Sequence, residues 1–276
     1  HCSLTWATDE NLSASGRRFG GPDVRAWRDT TSHDIVFSFN LIGEGLSEST
    51  HRKGEHSKGM LLHDNVTRVI LLANLLAHNR ERNPLLKGGV QATMVNNFIY
   101  NPGMRAVHYN LLAWEWGEHI PVAGQLTAVG NVLRAGPSSS ADLAFLMLGG
   151  SGDLNYFGKD NVAVDRLGNP LPRFGRYTTS AARIIEHETP PDWPDGLIAL
   201  PSEEVEDFVL KQAGARPWER DEHDLRLISD VAEGRGRIID SEKEVGGYPI
   251  AEPSRQAFDA GLWDLERMIP RAQADQ

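Results

Sequence analysis

Three cations fall within eight residues of the stretch "HNRERNPLLKGG": Arg80, Arg82 and Lys87, on a segment stiffened by Pro84 and closed by two glycines. Lys58 lies 24 residues before Arg82, and Arg105 lies 23 after it. Side chains that recur at the length of one structural repeat come to lie on one face, so this spacing offers a column of fixed positive charge. Such a column suits a polyanionic ligand. It also suits a reaction that develops negative charge, because preorganised electrostatics is usually the largest contribution to catalysis. Arg80 reads as structural and His78 as a turn residue. His51, His56 and His63 with Asp64 have metal-ligand chemistry, but their spacing matches no zinc pattern.

The rest of the chain is acidic, with a net charge of −10 over 276 residues. That balance argues against general nucleic-acid binding and leaves any polyanion to a local basic patch. No apolar run approaches the ~18 residues of a membrane span. The single cysteine, Cys2, excludes an internal disulfide. The opening "HCSLTWATDE" reads as a β-strand entered in mid-course, as in a mature or truncated chain whose natural N-terminus lies upstream.

Repetition in the first half shows how the cations are to be positioned. Four segments, "IVFSFNLIGEG", "VILLANLLAHN", "ATMVNNFIYNP" and "LTAVGNVLRAG", alternate apolar residues, then place Asn, then two apolar residues. Their asparagines, Asn40, Asn74, Asn97 and Asn131, are spaced 34, 23 and 34 apart. A step of 23 suits one coil of a β-solenoid, three short strands and their turns stacked at roughly 4.8 Å. The longer steps then carry loops, 47–58 and 111–121, on what is commonly the binding face of a solenoid. Asn at the turn tolerates a left-handed backbone and bonds to the coils above and below. After about residue 150 the texture changes to Gly- and Pro-rich loops, with "TTSAARIIEHE" as one more strand candidate. Two helices follow: one from an N-cap at Ser202 to Gly214, the other from about Asp221 to Gly234 with Leu225, Ile228 and Ala232 on one face. The last 25 residues read as an acidic amphipathic helix or a frayed tail.

These segments together resemble the pectate lyases, enzymes with a right-handed parallel β-helix. The family signature Arg-x-Pro-x-x-Arg followed by Gly-Gly is matched by Arg82, Pro84 and Lys87, with Lys in place of the second Arg. "HSKGMLLHDN" resembles the preceding rung with its substrate-binding lysine, at Lys58, and "NNFIYNPGMRAVHYN" the following rung with its arginine, at Arg105. "HCSLTWATDEN", "AGARPWERDEHD" and "GRIIDSEKEVGGYP" also look like bacterial members, so the resemblance runs to about residue 250. It implies an all-β, right-handed parallel β-helix (a single-stranded solenoid) over 1–190, with a C-terminal loop and helix cap over 191–276.

The resemblance further implies β-elimination on polygalacturonate, a secreted or periplasmic monomer, and Ca2+ as cofactor. Arg82 would be the base that removes the proton on C5, while Lys58, Lys87 and Arg105 bind and neutralise the uronate. An arginine base is awkward, since the free guanidinium has a pKa above ~12. For calcium, Asp9 matches a family aspartate and Glu10 adjoins it, but the acid four residues earlier falls at Thr5, so the site in this sequence is partial. Trp114 and Trp116 suit either stacking on sugar or anchoring their own loop. Two alternatives stay open: a non-catalytic β-helix that binds acidic polysaccharide, and a calcium-independent pectin lyase. A glycosidase would need paired carboxylates where these rungs carry cations, and "GGSGDLNYFG" lacks the following helix of a dinucleotide site.

Overall fold

Short strands with every second residue apolar, each closed by a tight turn, bury one column of side chains per side and return the chain to the next level. The computed structural model describes residues 1–249, 258–266 and 269–271. The first coil is β1 (Ser3–Thr5), β2 (Glu10–Ala14) and β3 (His33–Ser38); the second is β4 (Leu41–Gly43), β5 (Lys58–Leu62) and β6 (Thr67–Leu72). Then come β7 (Leu75–Ala77), β8 (Leu85–Lys87) and β9 (Gln91–Val95), followed by β10 (Phe98–Tyr100), β11 (Val107–Leu111) and β12 (Gly124–Val129). The last two coils are β13 (Val132–Arg134), β14 (Leu146–Gly150) and β15 (Leu154–Lys159), and β16 (Val162–Val164), β17 (Phe174–Arg176) and β18 (Ile184–Glu186). Every third strand stacks in parallel, giving three six-stranded sheets. This is the arrangement of a parallel β-helix, and the strand expected within "TTSAARIIEHE" is β18, the last to stack in these sheets among the described residues.

Register fixes the interior. In the first sheet Leu4, Ile42, Leu76, Ile99, Leu133 and Ala163 are partners from coil to coil and point into the core. Their neighbours Leu41, Leu75, Ala77, Phe98, Tyr100 and Val132 point outward, and they too are apolar and buried. Two helices cover them: α2 (Ser202–Gln212) through Val205 and Val209, and α3 (Glu222–Ala232) through Leu227 and Val231. The C-terminal part thus packs against a side of the stack, because the apolar surface lies on that side.

Details of the helices differ from expectation. Pro201 takes the N-cap position of α2, and Ser202 instead donates both its N–H and its hydroxyl to Asp160. In α3 Asp221, where the helix was expected to begin, caps the first turn, but the buried face is Leu227 and Val231, and Leu225 is exposed. An earlier helix, α1 (Val24–Thr30), gave no recognised signal; it buries Trp27 between β2 and β3. Of the last 25 residues, the described ones form a turn at Ala260–Leu262 and a short antiparallel pair, Trp263–Asp264 with Ile269–Pro270; the expected helix otherwise lies outside the described residues.

The asparagines form a ladder. The Asn40 amide donates to Asn74, Asn74 to Asn97, Asn97 to Asn131, and Asn131 to Asn161, all at 2.9 Å. Each accepting oxygen also takes the backbone N–H of the asparagine before it. The left-handed residue of each turn is the one before the asparagine (Phe39, Ala73, Asn96, Gly130 and Asp160), and not the asparagine itself. Asn161 is a fifth member that the sequence pattern did not single out.

Asn97→Ala strands the buried Asn74 N–H and breaks the ladder on both sides. At about 1–3 kcal/mol for each unsatisfied group, urea unfolding should show a loss of roughly 3 kcal/mol or more. His78, fully buried against Gly236 of the C-terminal part, accepts from Asn101 on Nδ1 at 2.8 Å. Burial lowers its pKa to about 4, against the opposing pull of Glu44 and Asp230. The unfolded chain therefore binds the extra proton between pH 6.5 and about 4, and stability falls as pH drops through that window, by about 3 kcal/mol in all. Urea unfolding at pH 7 and pH 4.5 should show this loss, and it should shrink in His78→Asn, which retains an acceptor.

Candidate functional site

The turns from the first to the second sheet, and the residues opening the second-sheet strands, gather the charged residues. Lys58 is the first residue of β5 and sits between Glu10 of the coil before and Glu81 of the coil after. Glu81 and Arg82 precede β8, and Arg105 precedes β11. Lys58, Arg82 and Arg105 therefore come together from three successive coils. Arg82 stands at φ 64°, as one extra residue: Lys58 pairs with Glu81, 23 positions on, but Leu61 pairs with Leu85, 24 on. This bulge turns Arg82 and Glu81 to different partners.

Each cation has a carboxylate. Glu81 touches both Lys58 and Arg105, and Glu10 touches Arg82. Lys87, at the far end of β8, pairs with Glu115 at 2.6 Å, and Arg80 with Glu55 at 2.5 Å. Arg105 also lies over the Tyr177 ring, 4.5 Å from its centre. Burial is the main electrostatic force here. It brings the Lys58 ammonium down to about 8, with Arg105 and Arg80 adding to the effect. It lowers the Arg82 and Arg105 guanidinium pKa values and raises the Tyr177 phenol to about 12.

Loops flank the second sheet at both ends of its strands. Residues 44–57 precede β5, while α1 and residues 112–123 follow β2 and β11. The two tryptophans of the latter loop divide their roles: Trp116 is buried and donates to Asp64 at 3.0 Å, and Trp114 is 77% exposed. Arg80 and Glu55 also line a cavity of about 350 Å³ with Met104, Ser139 and Asp240.

No protein-family model matches the chain, and neither does any curated protein sequence.

The expected calcium ligands separate. Glu10 turns to Arg82, while Asp9 faces His51 and His56, with its oxygens 3.5 and 3.4 Å from their Nε2 atoms. Among the described residues this trio is the one group of three metal-ligand side chains that converges. Calcium prefers six to eight oxygen donors, so two imidazoles and one carboxylate do not fit it. His63 and Asp64 lie apart, paired with each other and with Arg18.

Sequence reasoning missed Glu81, Glu115, Glu55 and Tyr177. Glu81 had a signal, since it stands between Arg80 and Arg82, and adjacent coils of like charge need interleaved acids. Tyr177 had none, being 72 residues from Arg105.

Glu81→Ala leaves Lys58 and Arg105 without their shared carboxylate. Removing one partner of a buried ion pair costs about 3–5 kcal/mol, which urea unfolding should register. The exposed pair Lys211–Asp207 serves as the control, at under about 1 kcal/mol.

Proposed function

We propose that the protein is a polysaccharide lyase of the pectate lyase type, cleaving polygalacturonate by β-elimination with Arg82 as base. The observation that carries this reading is the meeting of Lys58, Arg82 and Arg105 at the starts of three neighbouring strands of the second sheet, with Arg82 shifted toward its neutral form by burial. In the reaction, the C5 proton, acidified by the adjacent carboxylate, passes to the Arg82 guanidine. The electron pair of the C5–H bond becomes the C4–C5 double bond, the C4–O bond breaks, and the leaving oxygen takes a proton from water. Lys58 and Arg105 neutralise the uronate as it takes on enolate character, and Lys87 extends the binding strip. Binding exchanges Glu81 and Glu115 for carboxylates of the polymer, so Lys58, Arg105 and Lys87 keep a paired state throughout.

A right-handed winding goes with this reading, since crossovers between parallel strands take that hand in nearly all cases. So does a secreted or periplasmic monomer, given a polymer found outside the cell; among the described residues no helix is long and apolar enough to cross a membrane. The calcium of the family has no oxygen cage among these residues, and no step here runs through it. That donor set favours a second reading, calcium-independent action on methyl-esterified pectin. A third, non-catalytic binding of acidic polysaccharide, is favoured by the Glu10 contact, which occupies Arg82 in an ion pair.

The test is absorbance of the 4,5-unsaturated product on polygalacturonate and on methyl-esterified pectin, with calcium and with chelator. Product should form, and Arg82→Ala should slow it by about 10²–10⁴-fold, the usual worth of a general base, with unchanged circular dichroism. Preference for the esterified polymer under chelation would select the second reading. Retained polymer binding with no product would select the third.

A further inference from the structure

The Asp9, His51 and His56 cluster goes beyond both the lyase chemistry and the calcium expectation. Asp9 lies in the turn between β1 and β2, and the two histidines lie in the loop before β5. Both Nε2 atoms face the same carboxylate, 3.5 and 3.4 Å from its two oxygens. These separations are long for hydrogen bonds, which favour 2.7–3.2 Å. They suit ligand atoms around a tetrahedral ion, where bonds of about 2.0–2.1 Å set the donors roughly 3.3 Å apart. All three donor atoms lie within 4.8 Å of one another. Asp9 Oδ1 is buried and has no hydrogen-bond partner.

The surroundings orient the rings for such an ion. His56 Nδ1 lies 3.1 Å from the Glu55 carbonyl and donates to it. This leaves the Nε2 lone pair aimed at Asp9, the carbonyl–histidine support that metal sites use to fix the ring. His51 accepts the Lys53 N–H on Nδ1 at 3.3 Å, so its ring proton sits on Nε2 and has to shift to Nδ1, releasing that contact, when a metal binds at Nε2. The two rings lie 3.7 Å apart, centre to centre. Asp9 is about half exposed while the histidines are mostly buried, so the open side of the cluster faces solvent.

The geometry points to a three-ligand site at Asp9, His51 and His56 for a divalent transition metal of the zinc class, with a coordination position left for water or a carboxylate. Two nitrogens and one oxygen match the preferences of such ions, and mismatch calcium. The ion would stand one residue from Glu10, the partner of Arg82. Its binding does not depend on the lyase reading, and it is measured without turnover.

The experiment is titration of the chelator-stripped full chain with Zn2+ against a chromophoric competitor, repeated with Co2+ to read the ligand-field bands. The expected result is one Zn2+ per chain, undisturbed by millimolar Ca2+, and Co2+ bands of a four- or five-coordinate ion. His51→Ala and Asp9→Ala should each weaken binding by more than about 100-fold, beyond the 10–100-fold typical of losing an outer-shell partner. His187→Ala, at an exposed histidine bonded to Asn155, should leave it unchanged. Should His51→Ala lose its circular dichroism, the bulkier His51→Gln takes its place. Absence of Zn2+ binding by the folded chain, displacement by Ca2+, or binding that survives the Asp9 and His51 substitutions would each overturn the site.

Discussion

Stacked parallel strands hold neighbouring coils about 4.8 Å apart, whatever side chains they carry. Everything distinctive here follows from that spacing. Two like charges at about 5 Å repel by roughly 3 kcal/mol at an effective dielectric of 20. A column of cations on successive coils is therefore tolerable only with acids between its members. Glu81 between Lys58 and Arg105, and Glu10 against Arg82, are those acids. The bulge at Arg82 lets one turn present a cation and an acid side by side.

The asparagine ladder separates the stack from its loops. Steps between its members are 34, 23, 34 and 30 residues, yet each joins the next in the same way. Extra residues leave the coil between the strands, and there the chemistry collects: Glu55, His51 and His56 in one loop, Glu115 and the tryptophans in another. Loop length is free to vary because the turn that sets the register lies elsewhere.

Much of the frame was legible in the sequence, because the period of the apolar residues and the recurrent Asn reflect contacts repeated in every coil. The positions of Lys58, Arg82 and Arg105 followed from the same period. Their partners did not. Asp9 meets His51 and His56 across 42 and 47 residues with no shared spacing, because that contact depends on how one loop folds back over a turn. The left-handed residue was assigned one place too late, since Asn is a plausible occupant of that conformation and Phe39 or Ala73 is not. The face of α3 was read only in part: Ile228 packs against the cluster on the first sheet, but Leu227 and Val231 are its buried apolar residues, and Leu225 and Ala232 are exposed.

The two helices on the outer side of the first sheet come from the last third of the chain, yet they reach its beginning. Ser3 bonds to Asp224 and to the Ala215 N–H, and Glu44 pairs twice with Arg226 at 2.7 Å. On the ribosome the coils can stack in order of synthesis, each on the one before. Through that period Leu41, Leu75, Phe98 and Tyr100 stand bare, an apolar strip several coils tall, until the residues past 200 emerge. At 5–20 residues per second, roughly ten seconds or more separate the appearance of Leu41 from that of its cover. The nascent chain thus has a long interval in which a chaperone, or another nascent copy, competes for the surface that the helices finally take.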